Sequence, residues 1–273
     1  MESAIATAIR TQLQPVAILF ADDTPEGALQ FAEGRWGCVM WLLASAAKGR
    51  AAAADRATFG CIGGGTGLGF GNRYVDWPGG IECFHRFLST GNDDWEHGRE
   101  AAEELVDSWR RQAVEHFASG ERYVKTPELT ARFVDGLPFF EVPRRYVVFK
   151  PLADVAAGER PEVVVFLVDP DRLAALVVLA NYARDGNENA FIPWAAGCQS
   201  IGIYAYREAR SEHPRAVVGL VDPSARAYIA KQVGRDLMTV ALPFALFAEM
   251  ESNVPGSFLE RDTWRSLLAD DPR

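Results

Sequence analysis

The sequence predicts an α/β (or α+β) fold: a mixed, partly parallel sheet flanked by helices, in a single compact unit. Three observations predict it. Tyr146-Val147-Val148-Phe149 and Val163-Val164-Val165-Phe166-Leu167 are β-branched and aromatic runs suited to strands buried on both faces. Asp169-Pro170 and Asp222-Pro223 each set a capping side chain and an N1 proline behind such a run. The 273 residues, 48% of them hydrophobic and 24% charged, supply ample material for a large core.

Taken in order, residues 4–13 predict a short amphipathic helix stopped by Pro15. Val16-Ala17-Ile18-Leu19-Phe20 then predicts a strand closed by Asp22-Asp23-Thr24-Pro25. Trp36 to Lys48, rich in alanine and leucine, predicts a buried helix with Cys38 in its first turn. A glycine-rich loop follows at residues 59–71, and a turn-rich piece from Asp76 leads to Cys83 and Phe87. Residues 95–118 carry Ala101, Leu105, Trp109 and Ala113 at helical spacing on a charged background. Pro127, Pro138 and Pro143 make residues 120–145 the best internal boundary within one 1–273 domain. Beyond it, strand and helix alternate. The Val163 run precedes a helix over Asp171–Ala183. Ala216–Val221 precedes one over Ser224–Val233, and Met238–Leu242 precedes one from about Pro243 to Glu251. Residues 258–268 predict a terminal helix docked through Trp264 and Leu268.

The net charge of −9, with no cluster of five Lys or Arg, argues against nucleic acid and anionic membranes as partners. No apolar run is long enough to span a bilayer. Met1-Glu2-Ser3-Ala4-Ile5 lacks a basic segment leading into an apolar one, so a cytoplasmic location is expected. In a reducing compartment the four cysteines are not disulfides by default.

Cys38, Cys61, Cys83 and Cys198 have no Cys-x-x-Cys pair among them, which excludes zinc-ribbon, thioredoxin and ferredoxin spacings. Every one has glycine within three residues. Cys61 opens a run with six glycines in its next ten positions, among them Gly63, Gly64, Gly65 and Gly67. Glycines free backbone N–H groups to donate to sulfur, which suits thiolate-bound clusters. The leading expectation is an iron–sulfur cluster on Cys38, Cys61 and Cys198, with Cys83 a fourth ligand or a neighbour and the glycines lining the cofactor. Redox or sulfur-transfer chemistry on a small molecule would follow.

Two other readings stand beside it: a metal-free small-ligand binding protein with a glycine-rich pocket loop, and a thiol-dependent enzyme using Cys61. Neither the P-loop nor the dinucleotide fingerprint fits the glycine run, and no G-x-S-x-G elbow occurs. His85, two positions from Cys83, would share its face in a strand. Tyr204, Tyr206, Arg207 and Arg210 read as a helix surface before a pocket wall.

The chain resembles a group of uncharacterised bacterial and archaeal proteins known as the ArCR-type domain of unknown function. The likeness rests on Gly37-Cys38-Val39-Met40, Phe59-Gly60-Cys61-Ile62-Gly63-Gly64-Gly65, Pro78-Gly79-Gly80-Ile81-Glu82-Cys83, Phe87-Leu88-Ser89-Thr90-Gly91, Ala196-Gly197-Cys198-Gln199 and Asn253-Val254-Pro255-Gly256. These blocks run through nearly the whole chain, so the resemblance implies one unit. It implies no particular activity.

Overall fold

The computed structural model describes residues 1–71 and 73–269. Contacts divide the chain into two compact units, Met1–Phe70 with Phe140–Arg273, and Gly71–Phe139.

The first unit holds a seven-stranded mixed sheet. Its strands are β1 (Val16–Ala21), β2 (Ala52–Ala54), β3 (Tyr146–Pro151), β4 (Val163–Val168), β5 (Ala190–Phe191), β6 (Ala216–Gly219) and β7 (Met238–Pro243). They lie in the order β2-β3-β1-β4-β7-β6-β5. The alternation of strands and helices is as expected, but the strand pairs are antiparallel except β5–β6. The reason lies in the links. β5 and β6 are joined through the helices α9 (Gly197–Ile201) and α10 (Ile203–Glu208), long enough for a parallel crossover. Neighbours such as β4 and β7, aligned Val163 to Pro243 and Val168 to Met238, come from distant segments entering from opposite ends.

Side-chain alternation sends the strands' residues to two faces. Val163, Val165 and Leu167 join Val16, Ile18 and Phe149 under α2 (Val39–Ala47), α9, α10 and α11 (Pro223–Val233). Val164, Phe166 and Val168 join Ala17 and Leu19 under α1 (Ala4–Ala8), α8 (Pro170–Asn181), α12 (Phe244–Ser252) and α13 (Asp262–Ala269). All six residues of β4 are buried, which is what a central strand covered on both faces requires. Asp169 and Asp222 cap α8 and α11 through their side chains, with proline at the following position as expected. The terminal helix docks Trp264, whose Nε1 donates to the Ala8 carbonyl at 3.1 Å. A short 3-10 turn, Phe258–Glu260, breaks off its predicted first residues.

The glycine-rich loop is a correction. Residues Ile62–Leu68 form a helix, α3. Four glycines within it cost a few kcal/mol relative to alanine, about 1 kcal/mol each, so tertiary contact decides the outcome. Locally, Cys61 accepts the Gly64 N–H at 3.1 Å, and Gly69, in the left-handed region at φ 90°, ends the helix with its N–H on Gly65 and Thr66 carbonyls.

The second unit is helical: α4 (Gly80–Phe87), α5 (Glu96–Leu105), α6 (Arg111–Ser119) and α7 (Pro127–Asp135). The single helix expected over 95–118 is thus two, and the irregular stretch after 120 contains α7, capped by Thr126. Cys83, Ala101, Leu105 and Phe117 form this unit's own core.

Candidate functional site

Three of the four cysteines sit where three helices begin. Cys38 is the N-cap of α2, Cys61 the N-cap of α3, and Cys198 the second residue of α9. The segments carrying them touch. Gly60 sits against the Gly37 carbonyl with φ 86°, so tightly that a side chain there would collide with backbone, and the Phe31 ring covers both glycines. One face of α3 rests on α9: a Cβ on Gly67 would lie 2.6 Å from the Cys198 sulfur and 2.9 Å from the Gln199 nitrogen. Gly202 returns the contact on the Gly67 carbonyl. A Cβ on Gly197 would in turn lie 3.1 Å from the sulfur of Met40 in α2. The Gln199 side chain accepts the Ala196 N–H at 2.9 Å and fixes the turn that presents Cys198.

The electrostatics agree with the packing. Burial pushes the Cys38 thiol up to about 12, and the neighbouring Cys61 adds to it, while the nearby Met40 N–H pulls the other way. Burial likewise drives Cys198 well above the usual thiol range, with Cys61, Cys38 and Asp222 acting in the same sense. The Cys198 sulfur donates to the Gly63 carbonyl at 3.4 Å. Burial first, and the neighbouring thiols and Asp222 after it, thus keep Cys38 and Cys198 protonated at neutral pH. Among the described residues, no three His, Cys, Asp or Glu side chains form a group that could hold a metal ion.

Gly63, Gly64, Gly65 and Gly67 meet the site through their backbones. Gly63 offers its carbonyl and Gly64 its N–H, whereas beside Gly64, Gly65 and Gly67 the space is filled by Val39, Phe59 and Cys198. Cys83 belongs to the second unit, fully buried against Gly79 and Ala101. Its burial and the adjacent Glu82 push its thiol up to about 11. His85 sits on the same helix, α4, where a spacing of two residues puts it about 200° around from Cys83 rather than on one face. Burial lowers the His85 imidazole, against Asp135 and Glu82. A cleft of about 340 Å³ beside it is lined by Glu82, Arg86, Trp95 and Glu128. Its one guanidinium already stacks over Trp95 and pairs with Asp94 at 2.8 Å.

The aromatic–basic stretch after Cys198 is structural. Glu208, 3% exposed, is held between Arg207 and Arg215, and Arg210 pairs with Glu162. Burial would raise the Glu208 carboxyl, but hydrogen bonds from Arg215 and Arg207 outweigh it and hold the group below its usual range. A lowered folded-state value stabilises at pH above the unfolded value of about 4.5 and loses that stability as pH falls through the folded value. Melting temperatures measured from pH 7 to pH 3 are therefore expected to fall more steeply below about 4.5 for the parent than for Glu208→Gln. Parallel curves would show that the clamp does not form.

Sequence reasoning found the three thiols by their glycine context. Among the described residues, no helix is long and apolar enough to cross a membrane. The family model described as uncharacterised ArCR matches residues 4–253. No curated protein and no solved structure matches the chain.

Proposed function

The chain thus belongs to the uncharacterised ArCR family, and we propose that its Cys38, Cys61 and Cys198 hold an iron–sulfur cluster. The observation that supports the reading is that three sequence-distant cysteines stand at three helix starts whose segments touch through Gly37, Gly60, Gly67 and Gly197. The donor set fits. Soft thiolates select iron–sulfur clusters, zinc and copper(I). A single tetrahedral ion with bonds near 2.3 Å draws its donors to within about 4 Å of each other. Among the described residues these side chains form no group that could hold a metal ion, so in this reading loading draws the three helix starts together. Such a cluster supplies one-electron or sulfur-transfer chemistry, directed in this reading at a small molecule.

The chain's own residues would then do three things. Gly64 N–H donates to the Cys61 sulfur, a contact that tunes a bound thiolate. Val39, Phe59 and Phe31 wall the site with apolar surface and exclude water. Gln199 holds the Cys198 turn. Cys83 we assign to the core of the second unit. The cytoplasm suits free thiols, and the acidic surface suits neither nucleic acid nor anionic lipid as partner. Anaerobic purification, with iron and acid-labile sulfide measured against chain, tests the proposal. Iron and sulfide in comparable amounts are expected. A colourless protein, still free of iron after anaerobic reconstitution, would overturn it.

A second reading, nucleophilic use of Cys61, draws on one observation: Cys61 is half-buried while Cys38, Cys83 and Cys198 are buried. It expects the metal-free protein to be alkylated by iodoacetamide at pH 7.5 at Cys61 first, with loss of turnover. Peptide mapping that finds all four equally slow would discard it.

A further inference from the structure

Cys38 and Cys61 cap their helices in the same extended backbone, at φ −87° and ψ 127° and at φ −97° and ψ 156°. The two capping segments run side by side, in contact both before and after the cysteines. Before them, a Cβ on Gly60 would lie 2.3 Å from the Gly37 carbonyl oxygen, and the Phe31 ring fills the space beside both glycines. After them, a Cβ on Gly64 would stand 2.7 Å from a Val39 methyl and 3.3 Å from the Cys61 sulfur. The Cys61 sulfur thus lies beside the first turn of the helix that Cys38 caps. Cys198 stands differently. Its sulfur donates to the Gly63 carbonyl at 3.4 Å, and the Gly64 N–H of the same peptide unit donates to the Cys61 sulfur at 3.1 Å. In a trans peptide these two groups point opposite ways, so that unit stands between the Cys61 and Cys198 sulfurs. Cys83 packs in the core of the second unit.

We propose that Cys38 and Cys61 of the metal-free chain are a redox pair, closed into a disulfide by a hydroperoxide. A disulfide needs Cα atoms within about 7 Å, a demand that two segments in contact on either side of the pair are placed to meet. Cys61 is half-buried and Cys38 buried, so the oxidant reaches Cys61 first. The Cys61 sulfur attacks a peroxide oxygen: an S–O bond forms, the O–O bond breaks, and water or an alcohol leaves with the thiol proton. The Cys38 sulfur then attacks the sulfenic sulfur. The S–S bond forms, the S–O bond breaks, and the departing hydroxide takes the Cys38 proton as water. Two thiols lose two electrons in all, and one hydroperoxide gains them. The consequence is control of loading, which rests on the cluster reading above: the disulfide withdraws two of the three thiols, and a dithiol reductant returns them. Disulfides of reducing compartments are of this transient kind.

Trypsin separates the four cysteines into four peptides, with Cys38 in residues 36–48 and Cys61 in 57–73. The reduced, metal-free chain is treated with a stoichiometric amount of hydrogen peroxide, its free thiols are blocked with iodoacetamide, and the digest is mapped without reduction. The 36–48 and 57–73 peptides are expected as one linked species, with Cys83 and Cys198 alkylated. Cys198→Ser should give the same link, and Cys38→Ser should stop at a Cys61 sulfenic acid that dimedone traps. The linked chain should take up iron at least about tenfold less well than the reduced one, since even lesser changes to a metal site cost as much, and a dithiol should restore uptake. A link to Cys198, or Cys61 carried to the sulfinic acid in the parent with Cys38 still free, overturns the pairing and leaves the cluster reading standing. Equal uptake by the linked and reduced chains overturns the control of loading. If the reduced parent takes up no iron, the cluster reading falls, while the mapped link decides the pair on its own.

Discussion

Cys198→Ser is expected to strip at least about nine-tenths of the iron from the anaerobically reconstituted protein while leaving its fold in place. Serine is nearly isosteric and can keep the hydrogen bond to the Gly63 carbonyl, now as O–H donor, so the α3–α9 contact loses little. What it lacks is a soft, readily ionised sulfur, and hard oxygen is a poor substitute toward iron–sulfide centres. Cys38→Ser and Cys61→Ser should behave alike if, as proposed, the three thiols hold one cluster. Cys83→Ser should do the reverse. Its sulfur lies between Gly79 and Ala101 in an apolar core, so a hydroxyl there costs about 1–3 kcal/mol and leaves the iron content unchanged. Iron-to-chain ratios and melting curves for the four variants separate the two behaviours. Equal iron in Cys198→Ser and the parent would refute a shared centre.

The second large effect has a sign that distinguishes sequence from structure. Gly67→Ala, judged by helix propensity alone, should stabilise by about 1 kcal/mol. The structure predicts a loss of about 3 kcal/mol instead, at the upper end for overpacking. The new methyl would stand 2.6 Å from the Cys198 sulfur and 2.9 Å from two backbone atoms of the Cys198–Gln199 peptide, which cannot swing aside as a flexible side chain would. For a chain of this size that corresponds to a fall of roughly 6–12 °C in melting temperature. Iron uptake should drop in parallel, since α3 carries Cys61 and α9 carries Cys198. A melting temperature at or above the parent's would mean that these helices do not cross at Gly67.

The strands of this protein are written into its local sequence. Val163–Val168 is apolar at every position because it is covered on both faces, and a run of that kind needs no partner to be recognised. The caps at Asp169 and Asp222 are equally local, being a side-chain oxygen and an N–H three residues apart. The short edge strands β2 and β5 were not legible. Ala52–Ala54 has no strand preference of its own and pairs only because β3 passes beside it.

The glycine run shows the same divide most clearly. Composition alone showed that residues 59–71 need either positive φ or a close approach of the backbone, and that cysteines without pairing motifs stand beside such glycines. Whether the run was loop or helix could not be read from it, because propensity favours a loop by several kcal/mol and the opposing contacts come from α2 and α9. Tertiary structure decided that the segments carrying Cys38, Cys61 and Cys198 touch and that Cys83 packs in another unit. The physical reason is common to all of these. Hydrogen bonds and side-chain periods act within a few residues, while the approach of helix starts is set by which faces the sheet buries.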